Sequence, residues 1–191
     1  MLRHRHRFTR GVDIFVPDAR VLRHLPAQLR DKTHVEGPGF LRLYLPQGEI
    51  DFVASGRITT DAARPETILG REMLVETSAE ILARKIWHRA ARFTAADLVD
   101  LAVVAKHDPA ALALLQPVLA ARRAALLDRL ARQQLALREG FAALDLLEFR
   151  ASFDECLELA RRILGSPATS AEQPRAEYRF ALGGLALAGR G

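Results

Sequence analysis

Residues 6–18, His6-Arg7-Phe8-Thr9-Arg10-Gly11-Val12-Asp13-Ile14-Phe15-Val16-Pro17-Asp18, read as a basic, Thr-containing loop running into a short apolar strand that carries one acid, Asp13. The β-branched and aromatic run favours a strand, and Pro17-Asp18 ends it. A second stretch, Gly48-Glu49-Ile50-Asp51-Phe52-Val53-Ala54, repeats the arrangement, with Asp51 flanked by Ile50 and Phe52. Lone carboxylates on apolar strands are costly unless paired, hydrogen-bonded or ligating a metal. Residues two apart share a strand face, so Glu49 aligns with Asp51, and Gly11 and Phe15 align with Asp13. A divalent-cation site drawn from Asp13, Asp51 and Glu49 is the first expectation. Salt bridges from the many arginines to two strand-edge acids are its alternative.

Working outward, further strand-like runs lie at about 40–46 and 71–76, and the turn Pro46-Gln47-Gly48 makes 40–54 a hairpin. Asp18 to about Arg30 reads as helical, and 55–71 as a loop with at most one short strand. From Thr77 the pattern becomes helical. Capping-box sequences open helices at 77–80 (to about Arg92) and at 152–155 (to about Gly165). Thr94 starts a helix to about His107, and Asp108-Pro109 starts another, after which a Leu/Ala/Arg stretch from Leu112 to Arg138 is interrupted by Pro117. The expected fold is α+β: a small mixed sheet in an α/β part at 1–76, a helical part packed on it at 77–165, and a linker and flexible tail at 166–191.

With 191 residues, 49% hydrophobic and 27% charged, the chain can bury a core as one domain or two small ones. No signal peptide and no run of roughly 18–20 apolar residues is evident, so the expectation is a cytoplasmic protein without a membrane partner. A single cysteine, Cys156, excludes an internal disulfide and reads as structural. The net charge of +5 is carried almost wholly by Arg, with lysines only at Lys32, Lys85 and Lys106. Arg suits planar contacts to phosphate, so an NTP or RNA partner is plausible; a biased composition explains the excess equally well. His4 and His6 among Arg3, Arg5 and Arg7 read as a mobile basic arm rather than a metal site.

The helical half carries a second group of polar residues. Lys85, His88, Arg89 and Arg92 recur at intervals of three and four, on or near one helix face, and Asp97 and Asp100 lie three apart on the next helix. Asp97 has a ready structural role at a capping-box start, Thr94-Ala95-Ala96-Asp97. Asp100, one turn into an apolar helix, has none.

Together these features resemble the AbiEii/AbiGii family of nucleotidyltransferase toxins of type IV toxin–antitoxin systems, related to MenT-type toxins, over roughly residues 3 to 110. Arg7-Phe8-Thr9-Arg10-Gly11-Val12-Asp13-Ile14-Phe15 resembles the family's motif R-x-S-x-D-h-D-h-F, where h is apolar. Gly48-Glu49-Ile50-Asp51-Phe52 resembles its next acidic strand, and Lys85, Arg89 and Ala96-Asp97-Leu98-Val99-Asp100 its helical signature. The resemblance implies a polymerase-β-like fold and transfer of a nucleotide from an NTP to an RNA or protein acceptor. It further implies Mg²⁺ or Mn²⁺ held by Asp13 and Asp51, with Glu49 in support, and contact with the substrate by Lys85, Arg7, Thr9 and Arg89. A catalytic or orienting acid is expected at Asp97 or Asp100, and an antitoxin encoded nearby. Two departures stand out. Gly11 occupies the place of the first metal-binding Asp, and Thr9 that of Ser. The family's Gly-Gly turn would precede Met1, so a truncated chain or a start upstream is expected; Gly183-Gly184 in the tail is a loose echo of that turn. The alternative is a degenerate member that binds protein or RNA without catalysis.

Overall fold

The computed structural model describes residues 4–25, 29 and 33–165. It is α+β, with a four-stranded mixed sheet and a two-stranded hairpin followed by a helical half. The strands are β1 (Gly11–Val16), β2 (His34–Gly37), β3 (Phe40–Leu45), β4 (Gly48–Ala54), β5 (Ala63–Ile68) and β6 (Arg71–Glu76). The helices are α1 (Ser78–Arg89), α2 (Ala95–His107), α3 (Pro109–Arg132), α4 (Gln134–Ala142) and α5 (Phe153–Gly165). The tail at 166–191, with Gly183-Gly184, lies outside the described residues.

Sheet order is β1-β4-β3-β2, with β1 parallel to β4 and the other pairs antiparallel. The expected hairpin at 40–54 is present. Gly48 is required there, because a Cβ would lie 1.9 Å from the Arg10 carbonyl oxygen that accepts from the Glu49 amide. One strand escapes the sequence reading: β2 holds one aliphatic side chain, Val35, and pairs only along β3. The one short strand allowed within 55–71 is β5, whose Pro65 is tolerated because the β5–β6 pair is a separate two-stranded ribbon. Over Ala19–His24, within the helix expected from Asp18 to Arg30, the chain forms a 3₁₀ segment capped by the Asp18 side chain. Beyond Leu25, only Leu29 of that predicted helix is among the described residues.

Leu41, Leu43 and Phe52 point to one face of the sheet and pack with Leu22 of the 3₁₀ segment into a small core. The larger core is helical. α2 is buried at nearly every position from Ala95 to Val104, and Leu82, Ile86, Leu98, Leu115, Leu126 and Leu130 surround it. Among the described residues α3 is the one helix long and apolar enough, by length and composition, to cross a bilayer. Its Leu115, Val118, Leu119, Leu126 and Leu130 are nevertheless packed into this core. It also runs unbroken through Pro117, contrary to the expected interruption, because packing on both sides outweighs the one hydrogen bond a proline removes.

Caps follow the sequence with one exception. Thr94 and Asp97 form a reciprocal capping box, as do Ser152 and Glu155. At α1 only half the box forms: Thr77 accepts from the Glu80 amide, while the Glu80 side chain turns to the amides of Ile58 and Thr59. Fully buried, Glu80 thereby pins the 55–62 loop against α1.

Leu98→Ala should lower unfolding free energy in urea by about 2–5 kcal/mol. Leu74→Ala on the exposed β6 should change it by less than about 0.5 kcal/mol. Equal losses would contradict this placement of the core.

Candidate functional site

The sheet face opposite Leu41 and Leu43 carries Gly11, Asp13 and Phe15 on β1, Glu49, Asp51 and Val53 on β4, and Phe40, Arg42 and Tyr44 on β3. Register places Asp13 directly beside Asp51, Gly11 beside Glu49, and Arg42 directly across from Asp51. Arg42 donates to both Asp51 oxygens, Nε to Oδ1 and Nη2 to Oδ2, each at 2.6 Å, and its Nη1 lies 3.4 Å from Glu49 Oε2. The Asp51 hydrogen bond is the main reason the Arg42 guanidinium holds its proton more tightly than usual, against a partial desolvation.

Asp13 has neither a hydrogen bond nor an ion pair among the described residues. By surface area Asp13 is an exposed residue. Desolvation first, and the charge of Asp51 second, raise its pKa, while Lys85, Arg89 and Arg42 pull it down. The charges of Lys85 and Arg89 on α1 are therefore felt at Asp13.

On the helical side Asp100 is the centre. It accepts from His6 Nε2 at 2.7 Å, from Arg7 Nε at 2.9 Å and Nη2 at 3.1 Å, and from the Lys85 ammonium. Burial alone pushes this carboxyl up, but the His6 and Arg7 hydrogen bonds and the Lys85 charge outweigh it, holding Asp100 well below the usual carboxylate range. Asp97 is fully buried, with Oδ1 on Arg89 and Oδ2 on the Thr94 amide and hydroxyl. Lys85 Nζ also lies 3.7 Å from Asp97. All four oxygens of these two acids are thus engaged, an arrangement that positions Lys85 and Arg89.

The mobile basic arm expected at the N-terminus is not what residues 4–8 form. They run along residues 144–148, with Arg7 bridged to Leu146 and backbone hydrogen bonds from Phe8 to Asp145, Leu147 to His6 and Glu148 to Arg5. His6 is buried, because Asp100 needs its donor. Arg7 is committed to Asp100, and Thr9 is an exposed loop residue whose hydroxyl lies 3.4 Å from the Gly11 amide.

Arg84 joins the two halves. It stacks over the Phe15 ring at 3.9 Å and donates to Glu76, with Nη1 on the Ser55 hydroxyl and Nη2 on Glu80. Of these contacts only the one to Glu80, four residues away on the same helix, follows from sequence spacing. Arg42 had a legible signal: counting back three residues from Leu45 and forward three from Gly48 across the two-residue turn pairs Arg42 with Asp51. His6 had none, since its partner lies 94 residues away.

Whether these residues suit the divalent cation implied by the resemblance can be judged from the donors. Asp13 and Asp51 are cross-strand neighbours about 4.8 Å apart, close enough to share one ion, and a dication would relieve their repulsion. Among the described residues no three His, Cys, Asp or Glu side chains are now arranged to hold a metal. Arg42 engages Asp51 and Glu49, but Mg²⁺ is commonly held by one or two carboxylates together with waters and substrate phosphates, a donor set that the neighbouring Asp13 and Asp51 can supply. Comparisons with protein-family models, curated proteins and solved structures give no match.

Asp100→Asn should lower stability at pH 7 by about 3–5 kcal/mol, since it leaves Arg7 and Lys85 inside without their counter-charge. The folded pKa of Asp100 lies below its unfolded value, so its contribution is fully present above about pH 4 and is lost as pH falls through the folded pKa. Urea unfolding of both proteins at several pH values should show the difference shrinking below that point; a difference independent of pH would contradict the assignment.

Proposed function

We propose that this chain is a nucleotidyltransferase-like protein of the AbiEii/AbiGii toxin type, transferring a nucleotide from an NTP to an RNA or protein acceptor. One observation carries the reading: a sheet face with three carboxylates, Asp13, Asp51 and Glu49, stands near a helical cluster in which Lys85, Arg89 and Arg7 outnumber Asp97 and Asp100. A metal-bound triphosphate has the complementary polarity, a dication for the sheet side and phosphate oxygens for the helical side. A cytoplasmic setting and a neighbouring antitoxin belong to the same proposal.

Asp13, Asp51 and Glu49 would hold Mg²⁺ or Mn²⁺, which when bound neutralises charge on the triphosphate. The chain's own residues do the rest. Lys85 and Arg89, pre-oriented by Asp100 and Asp97, present fixed positive charge to the leaving phosphates without reorganising during reaction. Asp13, which has no hydrogen-bond partner among the described residues, is the acid open to the cation or to a hydroxyl proton of the acceptor. Asp97 and Asp100 act as positioning residues. Gly11 leaves room beside Glu49: an added Cβ would meet Glu49 Cγ at 3.5 Å, an ordinary contact.

A second reading is a degenerate member that binds protein or RNA without catalysis. It is favoured by the bidentate hold of Arg42 on Asp51 and by the missing side chain at Gly11. The two readings separate when the chain and its Asp51→Ala variant are given each α-labelled NTP with Mg²⁺ or Mn²⁺, total RNA and total protein. The proposal expects labelled acceptor that falls by at least about 100-fold in the variant. No label from folded protein with any nucleotide contradicts it and leaves the binding reading.

A further inference from the structure

We infer that Arg42 is a two-position residue that holds Asp51 until a polyphosphate draws it away, so that the cation and the triphosphate enter the site together. The inference rests on the reading of Asp13, Asp51 and Glu49 as a cation site, and adds a residue and an order of events that the reading does not contain.

The argument begins with geometry. Arg42 sits directly across the ladder from Asp51, so the pair forms wherever the β3–β4 register forms. Both of its hydrogen bonds to Asp51 are 2.6 Å long, and its third nitrogen faces Glu49. One guanidinium thus serves two of the three carboxylates and stands where a dication would neutralise them. A cation arriving alone must displace a covalently tethered competitor in bidentate geometry.

The same residue is poorly anchored for a purely structural role. Its side chain is 38% exposed, while Asp51 is 19% exposed, so the guanidinium lies on the solvent side of the pair. A group there can turn outward without opening the core, which lies on the other sheet face. Arg binds phosphate in the planar, two-pronged mode it uses for carboxylate, so an incoming triphosphate offers an equivalent partner. Exchange of Asp51 for phosphate leaves every charge paired: Arg42 on the phosphate, and Asp51 and Asp13 on the cation. Removal of Arg42 to solvent without that exchange leaves Asp51 beside Asp13 with no counter-charge. This asymmetry couples the two ligands.

Arg84 supports the contrast. It is 9% exposed and fixed on four sides by Phe15, Glu76, Ser55 and Glu80. It therefore cannot turn in this way.

Binding of Mn²⁺ alone, with no nucleotide, tests the inference. Free Mn²⁺ is followed by electron paramagnetic resonance for the full chain, for Arg42→Gln and for Arg42→Gln/Asp51→Asn, each checked for native circular dichroism. The inference expects Arg42→Gln to bind Mn²⁺ at least about tenfold more tightly than the unaltered chain, and the second substitution to remove that gain. Equal, measurable affinity in the unaltered chain and Arg42→Gln overturns the role of Arg42 while leaving the cation site standing. No binding by any of the three overturns both. In the second arm, with Mn²⁺ in excess over tripolyphosphate, the further rise in melting temperature that tripolyphosphate gives beyond Mn²⁺ alone should be larger for the unaltered chain than for Arg42→Gln. An equal rise in both overturns the exchange.

Discussion

Asp100 is the residue on which the rest of the arrangement depends. It sits on the most enclosed helix of the molecule, among Leu98, Val99 and Leu101, where an ionised carboxylate is untenable without partners. Its donors arrive from two distant parts of the chain, His6 and Arg7 from the N-terminal segment and Lys85 from α1. Meeting that demand brings the N-terminal segment onto residues 144–148 and fixes where β1 begins. The position of Asp13 near Lys85 follows from satisfying Asp100.

The two halves are joined mainly by polar side chains. The helical core and the small sheet core are separate clusters, and between them run Arg84 to Phe15, Ser55 and Glu76, Glu80 to the 58–59 amides, and the Asp100 cluster. Charged hydrogen bonds in such a seam contribute orientation more than stability.

Much of the fold was legible in the sequence, because it rests on local signals. Capping residues and Pro-Gln-Gly punctuation located most helices and the 40–54 hairpin, and strand alternation put Asp13, Asp51 and Glu49 on one face. The missed strand lacked such signals: β2 holds one apolar residue, Val35. The burial of His6 was illegible because its cause, Asp100, is supplied by folding. Spacing grouped Lys85 and Arg89 with Asp97 and Asp100 correctly, but could not tell that His6, Arg7 and Thr94 take up the acids' remaining oxygens. Asp97 is also the capping residue that its local sequence described.

The central claim is that a metal–triphosphate lies between the Asp13–Asp51 face and the Lys85 side of α1. Paramagnetic broadening of backbone amide signals by Mn²⁺–NTP, reversed by excess Mg²⁺–NTP, tests it most directly. The account predicts loss of signal centred on Gly11–Val16 and Gly48–Ala54 and extending to Ser78–Arg89, with α5 spared. Broadening spread over exposed acids such as Asp128 and Glu158, or confined to the β5–β6 ribbon, would contradict it.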